Sequence, residues 1–484
     1  SIFIGGVHDM GALIASIRHK ARSITEVVRE NVSQRAFILF MLFIWITLVY
    51  IIVAFTDITA RSFVGFITLE DGSKLPGGAI ATSSILYIIL PIIMGLLLKF
   101  TRMSLWVATI IFLPLVGLAI WVGPYIPLSL DTMLSMTPDN ASKIWSVLIL
   151  IYCLVCAVLP MWMLLQPRGH LGGYFLYASL VAAAIGILFG GFTVKFPAFV
   201  KNFDDLGVFF FPMLPILFIT VACGACSGFH SLVSSGTTCK QIKKESDVRP
   251  IGYGMMLLEG VVAVISLACV MILLPGDPIA KKAPNFIYAS AIGNFLGLIG
   301  ITPALGISFG LMAFTTFVYD TLDICTRLGR YIIEEITGLK GFAGKALGTI
   351  LTTVVPLIFV MTTVVDAKGN PIPAWRVFWN TFGASNQLLA ALALIGVTVW
   401  LLHSRKDSKV WLVSFFPAVW MFCISNWALI IAIRDAWILA KPGIHVAVPW
   451  ASLVLICLSI LLAAETFVSI WGKPGTPSAA VKPA

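Results

Sequence analysis

An all-α protein that crosses a membrane many times is what this sequence predicts, and three observations predict it. The mean hydropathy of the 484 residues is +1.00. Only 11% of the residues are charged. Apolar runs close to the length of a bilayer-spanning helix, about 20 residues, recur along the whole chain. These runs are apolar on every side: Ala36 to Phe55, AFILFMLFIWITLVYIIVAF, carries no charge at all. A helix on a water-soluble domain would confine its apolar residues to one stripe.

Reading the apolar runs against Pro, Gly and charge gives about 12 full transmembrane helices and a partial first one. The partial helix covers 1–17, and a cytoplasmic loop covers 18–35. The span at 36–55 follows the charges of that loop. Spans at 84–98 and 105–123 flank the basic KFTR. Those at 144–165 and 174–192 flank QPRGH. The span at 208–235 is interrupted by Pro212, Pro215 and Gly224 and ends before the basic KQIKKESDVR. Spans at 250–274, 303–326, 344–364, 378–402, 410–433 and 449–471 follow, and 472–484 form a short cytoplasmic tail rich in Pro, Gly and Ala. Residues 1–471 thus make one transmembrane domain. Residues 285–300, NFIYASAIGNFLGLIG, are apolar but short and rich in small side chains, and are expected to lie outside or to re-enter the membrane. Lys and Arg near span ends favour the cytoplasm. Placing the basic loops and the tail inside puts 21 of the 32 basic residues there. The net charge of +10 needs no nucleic acid to explain it, because loops facing anionic lipid suffice.

Soluble-enzyme motifs do not appear, so no enzymatic activity, cofactor or metal is expected. The pairs Cys153/Cys156 and Cys223/Cys226 have Cys-x-x-Cys spacing, yet both lie inside apolar spans without a second Cys or His pair at zinc spacing. They read as buried small hydrophobes.

The polar residues placed at membrane depth are the functional candidates. In ACGACSGFHSLVSSGTT, residues 222–238, Gly224 and Gly228 make a GxxxG pair continued by Ser231 and Ser235, a face another helix can approach closely. Ser227, His230, Ser234 and Thr238 fall on one stripe of the same predicted helix. Such a stripe faces a bundle interior or a water-filled cavity, or its hydroxyls bond back to their own helix. Glu259 stands alone roughly 13 Å into its span. A carboxyl at that depth needs a proton, a partner or a cavity, which makes it a candidate coupling acid. In YDTLDICTRLGRYIIEEITG, Asp320, Asp323, Arg327, Arg330 and Glu334 share one helix face. Asp323 and Arg327 are spaced as an i,i+4 pair, and Asp320, deepest in the apolar run, needs a partner. The block reads as a self-paired exit from the membrane or as an ion-pair gate at the cytoplasmic mouth. His8 and Asp9 in GVHDM, and Asn386 and Gln387 in NTFGASNQLLAAL, add polar groups at depth.

Several of these blocks resemble one family. GGVHDM, AVLPMWMLLQPRGHLGGYF, FPMLPILFITVACGACSGFHSLVSSGTTCKQIKKES, IGYGMMLLEGVVAVI, TLDICTRLGRYIIEE and FGASNQLLAALAL run in the order of the carbon starvation protein A (CstA) family, from residue 1 to about 430. The resemblance implies a secondary transporter of the bacterial inner membrane with a LeuT-like inverted-repeat core and broken helices around a midplane site. Peptides and pyruvate are the substrates associated with the family, and a proton or sodium ion is the expected coupling cation. The sequence departs from the family in three places, one of them Cys226 and Cys239, which replace commoner small or Pro residues. The family's first helices, with a His-His and a GAGPLxGP segment, have no counterpart here, so either the chain is part of a longer one or the partner helices come from elsewhere. Gly169 and His170 stand where the family has Asp-Tyr after the Arg. The expected activity is uptake of small nutrients during carbon starvation. Ser227, His230, Ser234, Ser235, Thr238, Asn386 and Gln387 would line the path, Glu259 would couple, and Asp320, Asp323, Arg327 and Arg330 would gate. The alternatives are a membrane nutrient sensor and a passive channel, but the tail is short for the first and no filter or charged ring marks the second.

Overall fold

A computed structural model describes residues 1–68, 74–196, 215, 217–274, 276–339, 341–365, 371–405, 407–437 and 447–471. The 472–484 tail and most of the first half of the 208–235 span lie outside the described residues.

The described chain is a helical bundle. It comprises α1 (Gly5–Arg18), α2 (Ile24–Asn31), α3 (Gln34–Ser62), α4 (Gly77–Phe100), α5 (Leu105–Val122), α6 (Leu130–Met133), α7 (Pro138–Val158) and α8 (Leu165–Phe189). These are followed by α9 (Ala222–Ala225), α10 (Gly228–Gly236), α11 (Met255–Met271), α12 (Pro284–Gly297) and α13 (Pro303–Thr337). The bundle ends with α14 (Gly341–Met361), α15 (Ala374–Ser404), α16 (Leu412–Trp437) and α17 (Ala447–Trp471). Two small antiparallel hairpins pair Phe66–Thr68 with Lys74–Pro76 and Val364–Val365 with Pro371–Ile372.

Among the described residues, 11 helices are long and apolar enough to cross a membrane, and each coincides with an expected span. The twelfth expected span, 208–235, is only partly described. Helix ends carry the signals that apolarity alone does not. Ser33 caps α3 by accepting from the Ala36 N–H, Thr137 precedes Pro138 at the start of α7, and Pro303 opens α13. At the far end of α13 the chain turns through Gly338, whose φ of 68° is the left-handed conformation that glycine adopts without strain. α12 is 14 residues long, roughly 21 Å, which is too short to cross a hydrocarbon core of about 30 Å.

Position in the bundle follows from which faces are apolar. α3 packs against α7, α13, α14, α15 and α17 and is buried nearly all round, as is the middle of α15. α5, α11 and α17 turn large apolar side chains outward, among them Trp106, Ile110, Val264 and Val468, as lipid-facing helices do. α12 lies along α13 at close range: a Cβ added to Gly293 would sit 2.8 Å from the Ile307 side chain, and one added to Gly306 only 2.9 Å from the Gly293 Cα.

Candidate functional site

The chain does not run through residues 222–238 as one helix. α9 ends at Ala225, Ser227 is extended (φ −114°, ψ 123°), and α10 begins at Gly228. A helix start leaves its first N–H groups without intrahelical partners, and inside a bundle no solvent replaces them. Asn386 of α15 does so here. Its Oδ1 accepts the Phe229 N–H at 2.9 Å, while its Nδ2 donates to Ser227 Oγ at 3.0 Å and to Cys223 Sγ at 3.2 Å. Gln387 donates from Nε2 to the Phe218 carbonyl at 2.6 Å, tying the segment before the break to the same helix. The approach is close because Gly228 has no side chain, and a Cβ there would run into the backbone of Asn386 and Ala390.

The break explains why the expected GxxxG face is not one face. Gly224, before it, meets Ala263 of α11, whereas Gly228, after it, meets α15. The single polar stripe is likewise divided. Ser227 and His230 face the break, Ser234 bonds back to the Ser231 carbonyl at 3.1 Å, and Thr238 lies past the end of α10 in a 3-10 turn. Ser235 accepts the Ile24 N–H at 3.0 Å and so turns toward the start of α2.

Beside the break, three helices bring ionisable groups into line. On α1, the two carboxylate oxygens of Asp9 accept from His8 Nδ1 and from His230 Nδ1, each at 2.7 Å. His230 Nε2 lies 3.7 Å from Glu259 Oε2 on α11, which is ion-pair range but beyond a hydrogen bond. His8 is fully buried with Nε2 unpartnered, whereas the Glu259 side chain is 39% exposed. His8, Asp9, His230 and Glu259 therefore form a line of ionisable groups with one open end, its last step longer than a hydrogen bond. Among the described residues no group of three such side chains is set to hold a metal ion. A mainly apolar cavity opens on the Cys226 side of the break, with Phe218, Gln387, Trp420 and Met421 in its wall.

A second polar centre lies between α7, α8 and α13. Arg168, on the first turn of α8, has no exposed surface. Its Nε meets Asp320 Oδ1 at 2.6 Å and its Nη2 meets Asp323 Oδ2 at 2.5 Å, while Nη1 donates to the Tyr152 hydroxyl. Tyr152 in turn donates to Asp323 at 2.9 Å, and Tyr87 donates to the Arg168 carbonyl at 3.0 Å. Two expectations are corrected by this geometry. Arg168 is not a loop charge: QPRGH is helical from Leu165 onward and its arginine is inside the bundle. Asp323 and Arg327 do not pair along the helix either, because Arg168 holds Asp323 and Arg327 donates to the carbonyls of Cys156 and Leu159 at 2.7 and 2.8 Å. Those carbonyls belong to the end of α7, where the helix has no further N–H to offer. Arg330 keeps a neighbour on its own helix, Glu334 at 3.4 Å, and stacks over Tyr331.

Sequence reasoning missed Arg168 and Tyr152. The available signal was the unpaired Asp320, which called for a cation that nothing on its own helix supplied.

Apolar helices around a broken helix and two buried ionisable centres define a polytopic membrane transport protein. Known proteins agree with that class. A model of the family described as carbon starvation protein CstA matches residues 1–292 and 276–428, and the chain belongs to that family. It is 29% identical to the peptide transporter CstA of Helicobacter pylori over 90% of this chain and 69% of that one. Against the peptide transporter CstA of Bacillus subtilis the identity is 27%, over 97% and 82%. The pyruvate/proton symporter BtsT of Escherichia coli is 26% identical over 88% of this chain and 68% of its own length. Among solved structures, a manganese transporter of Eremococcus coleocola is similar with a TM-score of 0.42 at 13% identity, covering 96% of this chain and 94% of that one.

Proposed function

We propose that this protein is a cation-coupled carrier of the bacterial inner membrane that takes up peptides or pyruvate-like carboxylates during carbon starvation. The observation that carries the reading is the helix break at Cys226–Ser227, capped by Asn386 and flanked by the Asp9–His230–Glu259 chain. A helix N-terminus directed into the bundle favours negative charge, and the start of α10 with Ser227 is where a substrate carboxylate would be held. The path includes Ser227, His230, Asn386 and Gln387, and extends past Ser234, Ser235 and Thr238 toward the cytoplasm. Glu259 carries the coupling ion, a proton in preference to sodium, because imidazoles and carboxylates in line are proton-transfer groups. Asp320, Asp323, Arg327 and Arg330 form the gate at the cytoplasmic side, and the C-terminus is cytoplasmic. The family membership and the names of the relatives support a transporter of this kind. A LeuT-like inverted repeat is the architecture in which such a break would serve a midplane site.

The test is uptake of labelled pyruvate and of a labelled dipeptide into proteoliposomes under an imposed proton or sodium gradient. Saturable uptake of one compound, driven by the proton gradient, is expected. Uptake that rises linearly with concentration and ignores both gradients would make the protein a passive pore.

A further inference from the structure

Arg168 is one guanidinium shared by two carboxylates. Asp320 Oδ1 takes Nε at 2.6 Å, and Asp323 Oδ2 takes Nη2 at 2.5 Å. Arg327, the nearest further cation along α13, spends its Nη2 on the carbonyls of Cys156 and Leu159. Arg327 keeps its charge but pairs with neither carboxylate, so Asp320, Asp323 and Arg168 together carry one negative charge more than positive, in an apolar surround that disfavours an uncompensated ion. A proton supplies the missing charge without needing any space.

The two carboxylates are not equivalent. Asp323 is 2% exposed and receives both Arg168 and Tyr152, which makes it the fixed counter-ion. Asp320 makes a single bond to Arg168, and 26% of its side chain is exposed. Its free oxygen, Oδ2, looks toward Gly172 of α8, where an added Cβ would stand 3.5 Å from it, 3.2 Å from the Tyr87 hydroxyl and 3.2 Å from Thr316 Cγ2. Next to Gly172, nothing lies within 4 Å of the corresponding position at Gly169 or Gly173. Gly172, without a side chain, thus lets Asp320 Oδ2 lie close against α8, beside the Tyr87 hydroxyl and Thr316. The titratable and charged groups facing Asp320 are Tyr87 from α4, Arg168 from α8 and Asp323 from α13 itself, while Tyr152 of α7 is bonded to Asp323. His170, on the next turn of α8, is turned away to Thr109 of α5 at 2.8 Å.

We propose that Asp320 is a second proton-binding site of this protein, distinct from Glu259, and that its proton controls the clasp between α8 and α13. A hydronium ion gives up an O–H bond and leaves as water while its proton forms an O–H bond on Asp320 Oδ2. The neutral acid then holds Arg168 less tightly, while Asp323 and Tyr152 keep the guanidinium in place on their side. The clasp ties α13 to the start of α8, and Arg327 ties it to the end of α7, so loosening one bond frees the α7–α8 elbow on one side only. The use of this proton in coupling rests on the carrier reading, but its binding does not.

The test is infrared difference spectroscopy of the whole protein in lipid nanodiscs, between alkaline and acidic buffer. The wild type is expected to gain a protonated-carboxyl C=O band that Asp320→Asn loses, that Asp320→Glu displaces, and that Glu259→Gln leaves in place. A band unchanged in size and position in both Asp320 variants overturns the proposal. Should Asp320→Asn fail to fold, Asp320→Glu decides alone: a displaced band supports the site and an undisplaced one removes it. A wild type that shows the Asp320 band yet takes up neither pyruvate nor dipeptide keeps the site and removes the carrier. Gradient-driven uptake without the band does the reverse.

Discussion

Replacing Asn386 with Leu, a side chain of similar size without polar atoms, removes the cap from the helix break. Asn386 has no exposed surface, so no water takes its place. Two contributions to the loss can be separated. An interhelical hydrogen bond in a membrane protein is worth about 0.6 kcal/mol on average, because the unfolded helices find other partners. Losing the bond to Ser227 Oγ therefore costs about that much. The Phe229 N–H differs, because it is a backbone donor at an interrupted helix and Asn386 Oδ1 is its acceptor. Leaving it buried and unpaired costs about 1–3 kcal/mol. The sum, roughly 2–4 kcal/mol, is read by equilibrium unfolding in mixed micelles. Ser227→Ala loses only the smaller contribution and should cost about 1 kcal/mol or less. An Asn386→Leu variant no less stable than Ser227→Ala would show that the break is satisfied by other means, and the capping argument would fail.

Other predictions follow from the same geometry. Gly228→Ala places a methyl group against the Asn386 and Ala390 backbone and should cost about 1–3 kcal/mol in that unfolding assay, as overpacking does. Gly169→Ala, in open space within α8, should be neutral or stabilise by about 0.5–1 kcal/mol through helix propensity. Arg168→Met strands the buried Asp323 and the partly exposed Asp320 and should cost about 3–5 kcal/mol. Adding Asp323→Asn to it should recover part of that loss, so that the double variant is more stable than the sum of the singles predicts.

The spans were legible because apolarity over about 20 residues is a strong local signal, and each of the 11 described long apolar helices overlaps an expected one. The break was legible only as a loss of apolar residues around Gly224 and Gly228. Its position, at Cys226–Ser227, depends on Asn386, which lies 159 residues further on. The i,i+4 spacing of Asp323 and Arg327 pointed to a pair because spacing carries no information about other helices. A guanidinium that reaches two carboxylates and a tyrosine outcompetes a single pair along one helix, and its owner looked like a loop residue between Pro167 and Gly169. His8 and Asp9 looked isolated for the same reason. The partner that joins them to Glu259 is His230, on a helix more than 200 residues away.

The central claim is that the ionisable chain beside the helix break couples cation movement to substrate movement. Glu259→Gln tested in proteoliposomes, in two modes, addresses it most directly. Exchange of labelled for unlabelled substrate at equal concentrations should persist, because binding and reorientation do not need the acid, while accumulation against a gradient driven by protons should be lost. Accumulation retained at the wild-type level in Glu259→Gln would contradict the claim.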